Sequence, residues 1–317
     1  MNDSRITSGQ ARWICRHRFQ AVGCLVLLQL FSHGCARFSR NSEDQVRLES
    51  RQLTLRGKAA LQQQRWQEAE EVLSRAVEIE PQSVQAHAQY GKTLWNLNNH
   101  QDALMHMREA IRLSGGDPQL MVQLGEMQLM ENHLSAAAQS ASIAVQARPH
   151  SAPAHALRAK VLDRQGNLAD ALAGYHRALS LQPDFPEVQT KVAEIYQRMN
   201  RPQRSLAILA RLHDRYPPGQ VPQRVLQLQG LAMKSLGRYG DAIERFVQAG
   251  RQDTMTAELF YQLAESHWLS GDRGNAQLAI REALQLEPQH AAGLRLQQDL
   301  RQDPTNIATG KRATDSR

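Results

Sequence analysis

The chain has 317 residues, 41% of them hydrophobic and only 5% aromatic, enough for one large or two ordinary domains with a core. Ala, Leu, Gln, Arg and Glu dominate, which is a helical palette poor in the β-branched and aromatic residues that favour strands, so an almost all-α protein is expected. Of the net charge of +7, the first 35 residues carry +3, from Arg5, Arg12, Arg16 and Arg18 against Asp3; the rest, with both signs interspersed, reads as a solvated surface and not as a nucleic-acid footprint.

In chain order, the first element is an address. Arg12, Arg16, His17 and Arg18 precede the apolar run Ala21 to Phe31, which ends on Ser32, His33, Gly34 and Cys35. Basic, apolar and small-residue segments in that order make a secretory signal peptide, and a run of eleven residues is well short of the roughly 20 needed to span a bilayer. The ending resembles the lipobox of bacterial lipoproteins, in which Gly34 would precede a lipidated Cys35 at the mature N-terminus, although Ser32 and His33 stand where the family has an aliphatic and a small residue. Ala36 would then be similar to the sorting pattern that does not retain a lipoprotein in the inner membrane. An ordinary signal peptide, an uncleaved anchor and a cytoplasmic chain remain the alternatives. Cys15, Cys24 and Cys35 are the only cysteines, so the body of the protein has no thiol for a disulfide, a zinc site or a nucleophile. Residues 36–49 read as a polar tether.

From residue 50 a period appears. The pairs Ala69/Ala76, Ala103/Ala110, Ala137/Ala144 and Ala171/Ala178 are each displaced by 34 residues, and Ala242/Ala249 and Ala276/Ala283 repeat the step. Pro81, Pro149, Pro183, Pro217 and Pro288 keep the same beat. A period of this length signals a repeat architecture. It resembles the tetratricopeptide repeat, two antiparallel helices A and B per unit. The small residue of helix A falls on Gly57, Gly91, Gly125, Ala159, Ala193, Gly230 and Ala264, and the late aromatic of the unit on Tyr175 and Phe246. The turn between A and B falls on Gln64, Asn98, Asn132, Gly166, Asn200, Gly237 and Gly271, where positive φ is expected. Seven units follow, at 50–83, 84–117, 118–151, 152–185, 186–219, 223–256 and 257–290. The resemblance implies a right-handed superhelical solenoid of helix-turn-helix units.

Small side chains suit the places where helices A and B nearly touch. Glu68, Asp102, Asp170 and Asp241 sit where helix B begins, so that their charge meets the positive end of its dipole. The fifth unit departs from the pattern with Ser205 and Leu212 in place of Ala. Three extra residues, Gln220 to Pro222, then separate it from the sixth, and with Pro217, Pro218 and Gly219 they predict a non-helical kink and a possible hinge. Ala291 to Gln302, with Leu294, Leu296 and Leu300, is expected to cap the last apolar face. The tail at 303–317 is polar and aperiodic, and is expected to be disordered.

Nothing in the repeats points to an enzyme, a cofactor or a small-molecule substrate. The chain contains no phosphate loop, no dinucleotide fingerprint and no HExxH, and the body histidines, such as His87, His106, His155 and His267, never fall three or four apart as a metal face requires. The resemblance implies a protein or peptide ligand on a concave face lined by helix A, which carries Lys58, Lys92, Asn96, Glu126, Met130, Lys160 and Arg164. Its basic members suit an acidic or C-terminal carboxylate group. Lys58 and Lys92 share only part of the carboxylate clamp of chaperone-binding relatives, since Leu55 and Gln89 replace its asparagines. Trp95 and Trp268 also map to helix A, as packing residues or anchors. The expectation is a non-catalytic interaction scaffold of the bacterial envelope, anchored at the membrane by a lipid or secreted. The alternatives are a soluble intracellular adaptor and a helical-repeat nucleic-acid binder; Glu126, Asp163, Glu187, Glu194, Glu258 and Glu265 would break up the basic stripe the latter needs.

Overall fold

The computed structural model describes residues 44–302. These residues form helices and turns with no strand among them. The first helix, α1, covers 44–62. It is followed by α2 (Trp66–Ile79), α3 (Val84–Asn96), α4 (His100–Leu113), α5 (Pro118–Met130), α6 (Leu134–Ala147), α7 (Ala152–Arg164) and α8 (Leu168–Leu181). Then come α9 (Pro186–Arg198), α10 (Pro202–His213), α11 (Gln223–Ser235), α12 (Tyr239–Gln252), α13 (Ala257–Leu269), α14 (Arg273–Leu286) and α15 (Ala291–Gln302). Odd-numbered helices up to α13 are helix A of a hairpin and even-numbered ones helix B; the fold is an all-α repeat solenoid.

Each A-to-B turn is three residues long, and its middle residue has positive φ: Gln64, Asn98, Asn132, Gly166, Asn200, Gly237 and Gly271, between 56° and 89°. The third turn residue donates its N–H to the carbonyl five residues back, as in Arg65 to Ala60 at 2.9 Å, Asn167 to Leu162 at 3.0 Å and Arg238 to Met233 at 2.9 Å. This six-to-one bond closes the end of helix A and requires one left-handed residue. Helix B then starts under an electrostatic cap. Glu68, Asp102, Asp170 and Asp241 lie in its first turn, and each accepts a hydrogen bond from the residue before the helix: Arg65 to Glu68 at 2.5 Å, Asn99 to Asp102 at 2.8 Å, Asn167 to Asp170 at 2.6 Å and Arg238 to Asp241 at 2.6 Å. In the last hairpin the roles exchange, with Asp272 capping and Asn275 donating to it.

All twelve periodic alanines of helix B have zero exposure. Close approach of the two helices is seen at the small residues of helix A. A Cβ on Gly91 would stand 3.0 Å from the Ala103 carbonyl oxygen, and one on Gly230 would stand 2.5 Å from the Phe246 ring. Large and small residues therefore interdigitate: Leu73 fills the space over Gly57, Phe246 that over Gly230, and Tyr175 lies in one cluster with Ala159.

The chain divides between Met127 and Gln128 into two compact units. In the first, α1 to α4 and most of α5 bury Ala60, Ala69 and Leu73, and separately Leu104, Met107, Ile111, Leu124 and Met127 with Trp95 against them. In the second, successive hairpins from α6 onward share clusters around Tyr175 and around Phe246. The last cluster is covered by α15, whose Leu296 and Leu300 are buried on Ala264, Ala276, Ile280 and Ala283; Leu294 is 42% exposed instead.

The junction at 214–222 is not helical. It is nevertheless pinned, because Val221 is buried among Leu209, Leu212, Leu226 and Phe246. Gln197 donates to the Leu228 carbonyl at 2.6 Å, and Arg224 pairs with Glu194 at 2.8 Å, across the same junction. An apolar plug and two cross-links describe a fixed corner better than a hinge.

Candidate functional site

Lys58, Lys92, Glu126 and Lys160 are spaced by 34 residues and occupy one register of helix A; Asn96, Met130 and Arg164 lie one turn further on, four residues later, and so share its face. In the first unit, Lys58 is exposed on α1, and Lys92 is half-buried on α3 beside Asn96. Asn96 caps its own helix by donating to the Lys92 carbonyl at 2.8 Å. Among the described residues neither Lys58 nor Lys92 forms an ion pair with a carboxylate. Burial first, and then the charge of Lys58, pushes the Lys92 ammonium below its ordinary value, as expected of a cation flanked by a like charge and by apolar surface. Leu55, one turn before Lys58, is 64% exposed. Its place on helix A is readable in the sequence, but its exposure is not. Glu126 is half-buried on α5.

The second unit handles the same register differently. Met130 at the end of α5 is 69% exposed, and Arg164 is exposed in the last turn of α7. Lys160 pairs with Glu187 of the next A helix at 2.6 Å, and Arg198 reaches back to Asp163. Glu194 holds Lys191 and Arg224, each at 2.8 Å, and these cations keep its carboxyl below the ordinary range although burial pushes it up. Lys234 holds Glu265 and Gln262. Consecutive A helices are thus tied to one another by opposite charges. Trp95 stacks on His100 with ring centres 4.3 Å apart, and Trp268 packs on the last core cluster; both are packing residues. Cys35 lies outside the described residues.

The histidines serve the unit boundaries. His87 Nε2 lies 3.0 Å from the Pro81 carbonyl oxygen, and His155 Nε2 lies 2.9 Å from that of Pro149. Gln189 donates to Pro183 at 2.9 Å in the same way. A residue six places after the boundary proline secures the loop in each case, a spacing readable in the sequence. Because the Pro81 carbonyl only accepts, His87 Nε2 is the donor. Its Nδ1 lies 2.9 Å from Nδ1 of His106 on α4, so one ring supplies the proton and the other the lone pair. Among the described residues no three His, Cys, Asp or Glu side chains converge as metal ligands, and no helix is long and apolar enough to cross a membrane.

Family models for the tetratricopeptide repeat match residues 54–118, 187–218 and 257–290. The chain belongs to the tetratricopeptide-repeat family. A tetratricopeptide-repeat protein from Parabacteroides merdae superposes with a TM-score of 0.59 over 80% of this chain and 99% of its own, at 13% identity. Pseudomonas aeruginosa pilF superposes with a TM-score of 0.50 over the same shares, at 16% identity. At such identities the likeness is one of fold. No curated protein matches the chain in sequence. The tetratricopeptide-repeat fold is that of a protein-protein interaction scaffold, and the family is generally non-catalytic.

Proposed function

We propose that this tetratricopeptide-repeat protein is a non-catalytic adaptor that takes an acidic peptide segment, or a C-terminal carboxylate, on the helix-A face of its first unit. The observation that carries this reading is the contrast within one register. Lys58 and Lys92 have no carboxylate partner among the described residues, whereas Lys160, Glu194 and Glu265 are matched by charges from neighbouring helices. An uncompensated, half-buried ammonium gains more from a carboxylate ligand than a solvated one does, and exposed Leu55 adds apolar contact beside it. Two lysines at matched positions, about one repeat apart, would read an extended segment, with Asn96 at its edge. The test is binding of an array of acid-ended decapeptides to the wild type and to K58Q/K92Q. At least tenfold weaker binding by the variant, with an unchanged melting curve, is expected; equal binding by the two proteins would sink the reading.

The address at the N-terminus supports a place in the bacterial envelope, with Cys35 lipidated. Its basic flank, short apolar run and Gly34-Cys35 ending are the support. Intact mass and membrane partitioning of the wild type and of Cys35→Ala test it. A mature chain starting at Cys35 with added acyl mass, lost in the variant, is expected, and an unprocessed chain overturns it.

A further inference from the structure

The three residues that lengthen the junction between the fifth and sixth hairpins have a structural result on the helix-B side. Between the end of α10, the junction and α12 lies a cleft of about 320 Å³, at the low end of the roughly 300–1,000 Å³ typical of ligand clefts. Two walls differ in character. One is apolar, from the buried side chains of Val221 and Leu226. The other carries Arg245, Gln248 and Arg251 from α12, facing His213 from α10.

No carboxylate lines this cleft. Arg245 gives one N–H to Gln248 Oε1 at 2.8 Å, and among the described residues neither Arg245 nor Arg251 makes an ion pair. Nδ1 of His213 is buried without a hydrogen-bond partner, a condition that costs free energy until something supplies one. Two guanidinium groups in a concavity concentrate positive potential and present forked donors that match a carboxylate. The apolar wall offers nothing to a fully hydrated small oxyanion, but it fits the stem and neighbours of an acidic side chain on a chain of amino acids.

We propose that this cleft is a second interaction site, which receives a glutamate or aspartate of a partner peptide segment flanked by aliphatic residues. It is built from α10, α12, the junction and Leu226 of α11, and it shares no residue with the Lys58/Lys92 face. The extra Gln220, Val221 and Pro222 are what create it: Val221 plugs the core from the junction side and supports the apolar wall, and no regular 34-residue boundary has residues to spare for that.

The experiment uses the full chain labelled with ¹⁵N-arginine and three probes: acetyl-Val-Glu-Val-amide, its Val-Gln-Val counterpart and inorganic phosphate. The Glu peptide is expected to shift two arginine Nε–Hε resonances saturably, with the Gln peptide at least tenfold weaker. R245Q/R251Q should lose the response while its melting curve and circular dichroism stay unchanged, and R251E alone, at the exposed rim, should lose it as well. K58Q/K92Q should keep it. Absence of a saturable shift, or a response surviving in the arginine variants, overturns the proposal. Phosphate binding as tightly as the Glu peptide overturns it in favour of a free oxyanion site, and loss in K58Q/K92Q assigns the peptide to the lysine face instead.

Discussion

Ser205 stands where the other helix-B positions carry alanine. It is fully buried, and its hydroxyl has no hydrogen-bond partner. A buried hydroxyl without a partner costs about 1–3 kcal/mol, and alanine fits the site by the precedent of the six other units. Ser205→Ala is expected to raise stability by about 1 kcal/mol in urea unfolding; a loss of stability would mean that the hydroxyl has a role the contacts do not reveal. Gln64 is a second local cost. It holds φ near 58°, where a side chain other than Gly or Asn is strained by roughly 1 kcal/mol. Gln64→Gly should therefore stabilise by a few tenths to about 1 kcal/mol, while the same change at Asn98, a residue that tolerates this region, should gain less.

Two histidines set a pH dependence. His106 and His176 are held below the ordinary imidazole value, each chiefly by burial, and His106 also by the charge of His87. The unfolded chain, titrating near pH 6.5, thus binds more protons than the folded one as pH falls, and folding stability drops with it. Their contribution is complete above about pH 6.5 and is lost below it. A melting temperature lower at pH 5.5 than at pH 7.5 is expected, and a flat profile would contradict it.

At the scale of the element, the helix hairpin depends on how closely A and B approach. Gly91 faces the backbone of α4, with the Ala103 carbonyl oxygen 3.0 Å from where a Cβ would stand, and backbone cannot rotate away as a side chain can. Gly91→Ala is expected to cost about 1–3 kcal/mol by forcing the helices apart, read as a fall in the urea midpoint; no change would show that the hairpin can open without strain. This pattern was legible in the sequence because steric demand leaves only Gly, Ala or Ser at such positions and a left-handed φ leaves mostly Gly and Asn. Even Gln64, which obeys neither preference, was identified by register. The pairing of Lys160 with Glu187 was not legible, since register places Lys160 on a face but not the rotamer that turns it toward the following hairpin. Exposed Leu294 escaped for the same reason: an apolar residue in a short helix says nothing of the side it presents.

In the molecule as a whole, function follows what the periodic framework leaves unsatisfied. Fold-building positions repeat and could be read from one sequence. The candidate faces could be read only as positions: Lys58 and Lys92 lack carboxylate partners among the described residues while Lys160 does not, and only the folded chain distinguishes them. The cleft beside Val221 is not legible in the sequence, because it arises from a departure from the period that by itself predicts only a bend. Ion pairs between A helices are mostly half-exposed and add at most about 1 kcal/mol each, so they orient neighbouring hairpins more than they hold them.

Within each compact unit a helix touches its neighbours in the chain, and in the second α11 also touches α9 and α13; residues far apart in sequence scarcely meet. Such a structure behaves as a spring in series. Pulled from its ends, it should give way one hairpin at a time instead of at a single force, and each released repeat of 34 residues lengthens the chain by about 110 Å at roughly 3.3 Å per residue. A sawtooth of that spacing in a force-extension trace would record the repeat period as mechanically as the alanines record it chemically.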